Sequence, residues 1–523
     1  MRIGIDVGGT HTDAVLLHDD EVVVSTKALT SADVTSGILD ALEVILSDGS
    51  VNEASIEAVM LGTTQFTNAV VERRELSEVA AIRIGLPSGD GLPPKIGWPD
   101  DINYRLGDHI YMIRGGYLYD GQPLASLVDA EVDAVVRDLK HKRIRAVAIS
   151  SAFSPMVPEP EFQVAEKIRT AIPDIRITLS HEIGRLGILE RENAALLNSA
   201  LLEFADNIID SFAEALTNRG LNCQFFVSQN DGTLMDAEFV RNFPALTFAS
   251  GPTNSLRGAS RLTGLDNAIV VDIGGTTSDI GVLQDGFPRE SNVVIEVGGV
   301  RTNFRMPDIL TIGLGGGSVV TDEGRRIGPQ SVGYRLVEEA IVFGGETLTA
   351  TDLIVAAGGA SIGNAACVDT LEPELVANGT ATILRMLNEG IERMKPSSHH
   401  LPIVLVGGGA VLVTEKLSAA SEMVCPEHSS VANAIGAAIA QIGGEAERLV
   451  SYRDVPREEA IKQVTHEAVR LAKAAGADPA TIKVADIEET PISYMDEGTT
   501  KLRIKAVGDI LALSHRNPAG DDK

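Results

Sequence analysis

The chain opens on apolar positions spaced as a half-buried strand requires: Arg2–Val7 runs into a Gly8-Gly9-Thr10 turn, and further apolar runs follow at Ala14–Leu17 and Glu21–Lys27. Three such runs joined by short turns predict an antiparallel meander. Beyond it, Asp33 can cap a helix in which Ile38, Leu42, Ile45 and Leu46 fall on one face, and Ala58–Leu61 reads as another strand. The order strands, helix, strand predicts a mixed α/β sheet. Midway along the chain the opening recurs: Ala268–Ile273 is an apolar run ending after an Asp, Gly274-Gly275-Thr276 is a turn, Asp279–Leu283 is the next strand, and Asp285-Gly286 is a hairpin signal.

The two copies align residue by residue. Asp6-Val7-Gly8-Gly9-Thr10-His11-Thr12-Asp13 and Asp272-Ile273-Gly274-Gly275-Thr276-Thr277-Ser278-Asp279 share five residues of eight, and 272 − 6 = 266 residues separate them. That spacing is too long for a solenoid. It predicts two related domains facing one another.

Elsewhere, Pro87–Pro99 and Ser154–Pro160 read as proline-punctuated loops, Ile144–Ser150 as a buried strand, and Asn193–Phe212 as a long helix. Leu401–Val406 is a strand running into Gly407-Gly408-Gly409-Ala410, with a helical stretch expected from Thr414. After Glu445 the pattern changes to one charged helix, Arg457–Ala475, and two strands, Ile482–Asp486 and Lys501–Val507, which predict a small α+β appendage. The polar tail Asn517–Lys523 is expected to be disordered.

Composition narrows the class. A chain of 523 residues predicts about three domains at roughly 150 residues each, and 44% hydrophobic against 22% charged residues excludes a disordered chain. The net charge of −29, from 44 Lys and Arg against 73 Asp and Glu, argues against nucleic acid, whose backbone is held by clustered cations. Cys223, Cys367 and Cys425 lack the spacing of a disulfide framework or a thiolate metal site, which fits a reducing compartment. The strand-like start carries no leader pattern, and apolar stretches such as Leu401–Val413 are broken by glycines short of about 18 residues. A cytoplasmic location without a membrane span is expected.

The doubled octamer carries the chemistry. An Asp ending a strand before Gly-Gly-Thr makes a tight turn whose backbone N–H groups and hydroxyls can surround a phosphate, while the Asp holds hydrated Mg²⁺ or a water. One such turn is most often a hairpin only; two copies imply two loops gripping one polyphosphate. Gly407, Gly408 and Gly409 would let a nucleoside lie against the backbone, although a strand-to-helix turn needs the same glycines. Ile312-Gly313-Leu314-Gly315-Gly316-Gly317-Ser318 could be a flap or a second anion nest. No Gly-Lys dipeptide and no G-x-G-x-x-G run occurs, so neither a P-loop nor a dinucleotide fold has support.

This arrangement resembles the actin-like (ribonuclease H-like) ATPase superfamily, and within it the hydantoinase A/oxoprolinase family. The likeness rests on Gly4 to Val15, Gly62-Thr63-Thr64 with Asn68-Ala69, Ser180-His181-Glu182-Ile183-Gly184, Ser250-Gly251-Pro252, Asp272 to Asp279, and Thr311-Ile312-Gly313 with Gly315 to Ser318. It implies duplicated α/β domains with an interdomain nucleotide cleft. The expected divisions are 1–180, an N-terminal hydantoinase/oxoprolinase-type domain; 181–445, a hydantoinase A-type domain; and 446–523, the appendage. Longer relatives carry a further large C-terminal domain, so contacts supplied there are not carried over.

By this resemblance Gly8, Gly9, Thr10 and Thr12 would hold ATP phosphates from one side and Gly274, Gly275, Thr276 and Thr277 from the other. Asp6 and Asp272 would hold Mg²⁺ through water and act in catalysis, Asp272 as the base or orienter, while Asp13 and Asp279 serve as supporting contacts or simple turn caps. Substrate contacts would fall on Thr63, Thr64, His181, Gly315 and Gly316. Arg191 and Asn198, seven residues apart on one helix face, suit a polar substrate wall or, preferably, an interdomain contact. The implied activity is ATP-dependent hydrolysis of a cyclic amide, such as a hydantoin, 5-oxoproline or a related lactam, by an oligomer with a hydantoinase B-type subunit. A small-molecule kinase and a non-catalytic ATP-gated regulator are the alternatives.

Overall fold

The computed structural model describes residues 1–8, 11–18, 21–29, 34–49, 51–221, 223–291, 294–492 and 499–511. The meander is present: β1 (Arg2–Val7), β2 (His11–His18) and β3 (Glu21–Leu29) pair antiparallel, and β4 (Ala58–Thr63) lies parallel to β1 on the other side. Chain that leaves after β4 forms a separate parallel sheet of β5 (Val79–Leu86), β6 (His109–Arg114), β7 (Ala146–Ser151) and β8 (Arg176–Leu179), with its own apolar core. It returns through the long helix Ile188–Asn218 to β9 (Gln224–Ser228), parallel to β4, and β10 (Thr233–Asp236).

The second copy repeats this order. β11 (Ala268–Ile273) pairs antiparallel with β12 (Ser278–Gln284), and β13 (Phe287–Pro288) and Ile309–Ile312 pair with β12. Leu401–Val406 lies parallel to β11, followed by parallel Ala420–Val424. In each half, therefore, an antiparallel strand flanks the first strand on one side and two parallel strands follow on the other. This is the duplicated α/β arrangement that the repeat and the resemblance predict. The Asp285-Gly286 hairpin is also present, with φ of 52° and 77° and Gln284 opposite Phe287.

Alternation explains the layers. Ile3, Ile5 and Val7 of β1 face a core shared with Ile38, Leu42 and Ile45, while Ile269, Val271 and Ile273 of β11 face Ile383, Leu387 and Ile391 of the helix Pro373–Met394. Between the two sheets cross two helices, Ser250–Thr263 and Ala432–Ile439. They approach so closely that a Cβ on Gly258 would lie 1.9 Å from the Ala432 carbonyl oxygen, and one on Gly436 1.8 Å from that of Asn254. Only glycine fits either position.

Across the expected division at 180, β4 and β9 are hydrogen-bonded neighbours in one sheet, because a parallel pair needs a crossover and here the crossover contains a whole further sheet. Beyond the expected division at 445 the chain joins the first sheet: Gln441–Ser451 pairs with β10, and Thr499–Gly508 and Lys483–Pro491 extend the same sheet to nine strands, with the helix Arg457–Ala474 packed on it. No helix begins at Thr414; a single turn at Ala410–Leu412 leads into irregular chain, where Leu412, Leu417, Ala419 and Ala420 enter the core at spacings unlike a helix. Asp33 and the tail Asn517–Lys523 lie outside the described residues. Among the described residues no helix is long and apolar enough to cross a membrane.

Candidate functional site

Both octamer turns close alike: the Gly8 N–H donates to the His11 carbonyl at 3.0 Å, and the Gly274 N–H to that of Thr277 at 2.9 Å. Gly9 and Thr10 lie outside the described residues. In the second turn Gly274, Gly275 and Thr276 are half-buried and Thr277 is exposed, whereas Thr12 is fully buried in β2. Strand register sets the carboxylates: Asp6 stands opposite Asp13, and Asp272 opposite Asp279.

Helix Ser250–Thr263 joins the halves through consecutive side chains. Asn254 Nδ2 donates to Asp6 Oδ1 at 3.4 Å, and Ser255 Oγ donates to Asp272 Oδ2 at 2.5 Å. From the crossing helix, Asn433 Nδ2 donates to Asp6 Oδ2 at 3.0 Å. Asp279 accepts from Thr311 Oγ1 at 2.5 Å, and Asp13 is paired with Lys27 Nζ at 2.5 Å. Lys27 lies opposite Asp13 on β3, is one-third exposed, and its Cε would come within 3.8 Å of a Cβ on Gly408 in the other half. A cation of one half thus lies beside the glycine turn of the other.

Burial dominates the electrostatics. It pushes the Asp6 carboxyl up to about 6, aided by Asp13 and Asp272 and opposed by the two Asn amides. Asp272 is raised by burial and by Asp13, against Ser255 and Lys27; Asp279 is pushed up to about 6 by burial with Asp272, against Thr311. Carboxylates that oppose one another's ionisation in this way favour a cation between them. Among the described residues no three His, Cys, Asp or Glu side chains converge as a direct metal cluster. The donor set fits an ion held through its hydration shell rather than by a protein cage.

The glycine turn after Leu401–Val406 wraps the second loop. Gly407 has φ of +85°, a Cβ there would lie 2.2 Å from Asp272 Oδ1, and the Gly409 N–H donates to the Ile273 carbonyl at 2.7 Å. Gly408 is exposed at the cleft.

Other candidates sit differently. Gly315 and Gly316 are buried behind the second loop: the Gly316 and Gly317 N–H groups donate to the Gly274 and Gly275 carbonyls at 3.0 and 2.7 Å, and a Cβ on Gly315 would lie 2.5 Å from Thr276 N. They buttress that loop instead of presenting a surface, because the missing side chains let one backbone lie on another. Thr63 is buried and its Oγ1 accepts from the Gln65 N–H at 3.2 Å, while Thr64 Oγ1 donates to the Val7 carbonyl at 3.4 Å, beside the first loop.

His181 belongs to another part of the molecule. Its Nδ1 lies 2.7 Å from Glu161 Oε2 and its ring packs edge-on against Phe162, in the wall of a separate cavity. Arg191 donates to Ser180 Oγ and the Ser151 carbonyl, and Asn198 to Thr178 Oγ1 and the Asn242 carbonyl. Both are buried contacts that bind the long helix to its neighbours.

The sequence reading missed Lys27, Asn254, Ser255 and Asn433, and gave Thr311 no role beyond its place in a motif. Asn254 and Ser255 lie two and three residues beyond Pro252 of the Ser250-Gly251-Pro252 motif, and Asn433 is a lone polar residue in an apolar helix, so all three carried a signal. Lys27, near a strand end, carried none.

Two family models match: the hydantoinase/oxoprolinase N-terminal region over residues 2–172 and hydantoinase/oxoprolinase over residues 191–360. The caprolactamase subunit alpha of Pseudomonas jessenii is 25% identical, over 97% of this chain and 76% of that one. The acetophenone carboxylase gamma subunit of Aromatoleum aromaticum is 26% identical over 68% of this chain, which spans only 53% of that relative. The crystal structure of the ATP-dependent caprolactamase from Pseudomonas jessenii superposes with a TM-score of 0.79 at 19% identity, covering 98% of this chain and 88% of that one. The chain belongs to the hydantoinase/oxoprolinase family.

Proposed function

We propose that this protein is an ATP-dependent enzyme subunit that activates a cyclic amide by phosphorylating its carbonyl oxygen. The observation that carries the reading is that Asp6 and Asp272, at matching places in the two octamers, are held by consecutive side chains of one helix, with Lys27 of the first half beside Gly408 of the second. An amide nitrogen is a poor leaving group, and placing a phosphoryl group on the oxygen makes the carbon electrophilic.

In this reading Gly8, Gly9, Thr10, Gly274, Gly275, Thr276 and Thr277 surround the phosphates, and the Gly407–Gly409 turn faces the nucleoside. Hydrated Mg²⁺ held by Asp6, with Asp272 beside it, would screen the charge on the phosphates. The carbonyl oxygen attacks the γ-phosphorus, ADP leaves, and Asp272 orients the acceptor and takes the amide proton. Water then adds to the carbon, the ring nitrogen leaves as an amine, and a second water attacks the resulting acyl phosphate at carbon, giving carboxylate and phosphate. The named relatives are subunits, which supports a hydantoinase B-type partner for the hydrolytic steps. Free thiols at Cys223, Cys367 and Cys425 suit a reducing cytoplasm.

The test is phosphate release from Mg²⁺-ATP with hydantoins, 5-oxoproline and simple lactams, with and without the B-type protein. Stimulation by one ring supports the reading; a stable phosphorylated product, or no stimulation by any ring, overturns it.

Two consequences are measurable by calorimetry. Lys27→Met should weaken Mg²⁺-ATP binding about tenfold, the worth of one charge-assisted hydrogen bond. Affinity should also rise with pH. Asp6 and Asp279 are raised from 3.8 to about 6 in the fold, so their contribution to stability is present below 3.8 and lost as pH rises through about 6. A bound cation needs the ionised forms, so Mg²⁺-ATP should bind more tightly at about pH 7.5 than at about pH 5.

A further inference from the structure

Apart from the phosphate loops, a cavity of about 480 Å³ opens where three parts of the chain meet. They are the helix Ser180–Ile183 with the turn after it, β10 with its preceding loop, and the C-terminal unit of Gln441–Ser451 and Arg457–Ala474. Small-molecule sites occupy roughly 300 to 1,000 Å³. Leu234, Met235, Leu449 and Leu471 give the walls an apolar character.

The cations in the wall are already held by carboxylates. Arg185 pairs with Glu290 at 2.9 Å, Arg305 with Glu447 at 2.9 Å, Arg448 with Glu467 at 2.7 Å and Lys505 with Asp231 at 2.8 Å. An anionic ligand would have to displace one of these partners, so the cavity suits an uncharged one. Arg185 and His181, both in the wall, carry two further polar functions. Arg185 Nε is buried without a hydrogen-bond partner. His181, when neutral and donating Nδ1–H to Glu161, keeps a lone pair on Nε2. One donor and one acceptor on neighbouring residues complement a ring amide, which presents its C=O and N–H along a single cis edge.

We propose that this cavity binds an uncharged cyclic amide, with the ring among the leucines, the carbonyl on Arg185 and the N–H on His181. The ligand class rests on the functional reading above; the location does not. The cavity also shares a wall with the phosphate site: the Asn230 carbonyl, in its lining, accepts from Thr253 Oγ1 at 2.8 Å, and the next two residues of that helix hold Asp6 and Asp272.

The test titrates the full chain, without nucleotide, with caprolactam, 2-pyrrolidinone and hydantoin by calorimetry. At least one ring should bind with Kd of about 1 mM or below, and the N-methyl lactam, which lacks the donor, at least about tenfold more weakly. Affinity should be reduced at least about tenfold in Leu471→Trp, which fills the cavity, and in His181→Phe, which keeps a ring against Phe162. Binding by none of the rings, equal binding of the N-methylated form, or undiminished binding in Leu471→Trp would overturn the proposal. Ring binding as expected, with no ring stimulating phosphate release, would instead remove the functional reading and leave the site standing.

Discussion

Asp272→Asn is expected to lower amide-dependent phosphate release about 10³-fold while leaving Mg²⁺-ATP affinity within about threefold of wild type. The substitution keeps the side chain's shape and its contact with Ser255 Oγ, so the two halves stay joined through the helix Ser250–Thr263. What it removes is the proton acceptor at the point where the second loop meets the glycine turn. Single-turnover kinetics separates the two quantities. A variant that binds and turns over normally would show that Asp272 only packs beside Gly407, where a Cβ would lie 2.2 Å from its Oδ1. Asp272→Ala is a poorer test, because it also leaves the Ser255 hydroxyl without its partner.

The second large effect is structural. Gly436→Val should destabilise the protein by about 3 kcal/mol, the upper range for overpacking, because its Cβ would meet backbone rather than a side chain that can rotate away. The obstruction is the Asn254 carbonyl at 1.8 Å, so the crossing helices must separate. That separation draws Asn254 and Asn433 off Asp6, and nucleotide affinity should fall along with the denaturant midpoint. Gly49→Ala, where an added Cβ meets nothing within 4 Å, should change stability by less than about 0.5 kcal/mol. Equal midpoints for the two variants would refute the account of the helix crossing.

Local patterning made much of this legible. β1, β2 and β11, β12 were readable because apolar alternation and a repeated Gly-Gly-Thr turn are properties of contiguous residues, and the same octamers located Asp6 and Asp272. Pairings across long separations were not readable. Nothing near Gln224 indicates that it follows Ala58 in the sheet, or near Gln441 that it extends β10, since parallel partners are chosen by the packing of the crossover. The glycines of 312–318 show the same limit. Absence of side chains announces a close approach without saying to what, and here the neighbour is the second loop's own backbone. Lys27 acquires its place only when β3 sets it opposite Asp13 and the other half brings Gly408 alongside. His181 was marked by its motif, but the cavity around it is completed by residues 443–505, which no local pattern connects to it.

The most direct test of the central claim follows one oxygen atom. A cyclic amide that stimulates phosphate release is labelled with ¹⁸O at its carbonyl, turned over with Mg²⁺-ATP and the B-type protein, and the inorganic phosphate is analysed by mass spectrometry. Carbonyl phosphorylation with both waters attacking carbon places the label in phosphate. Unlabelled phosphate, with the ¹⁸O retained in the ring-opened carboxylate, would contradict the account.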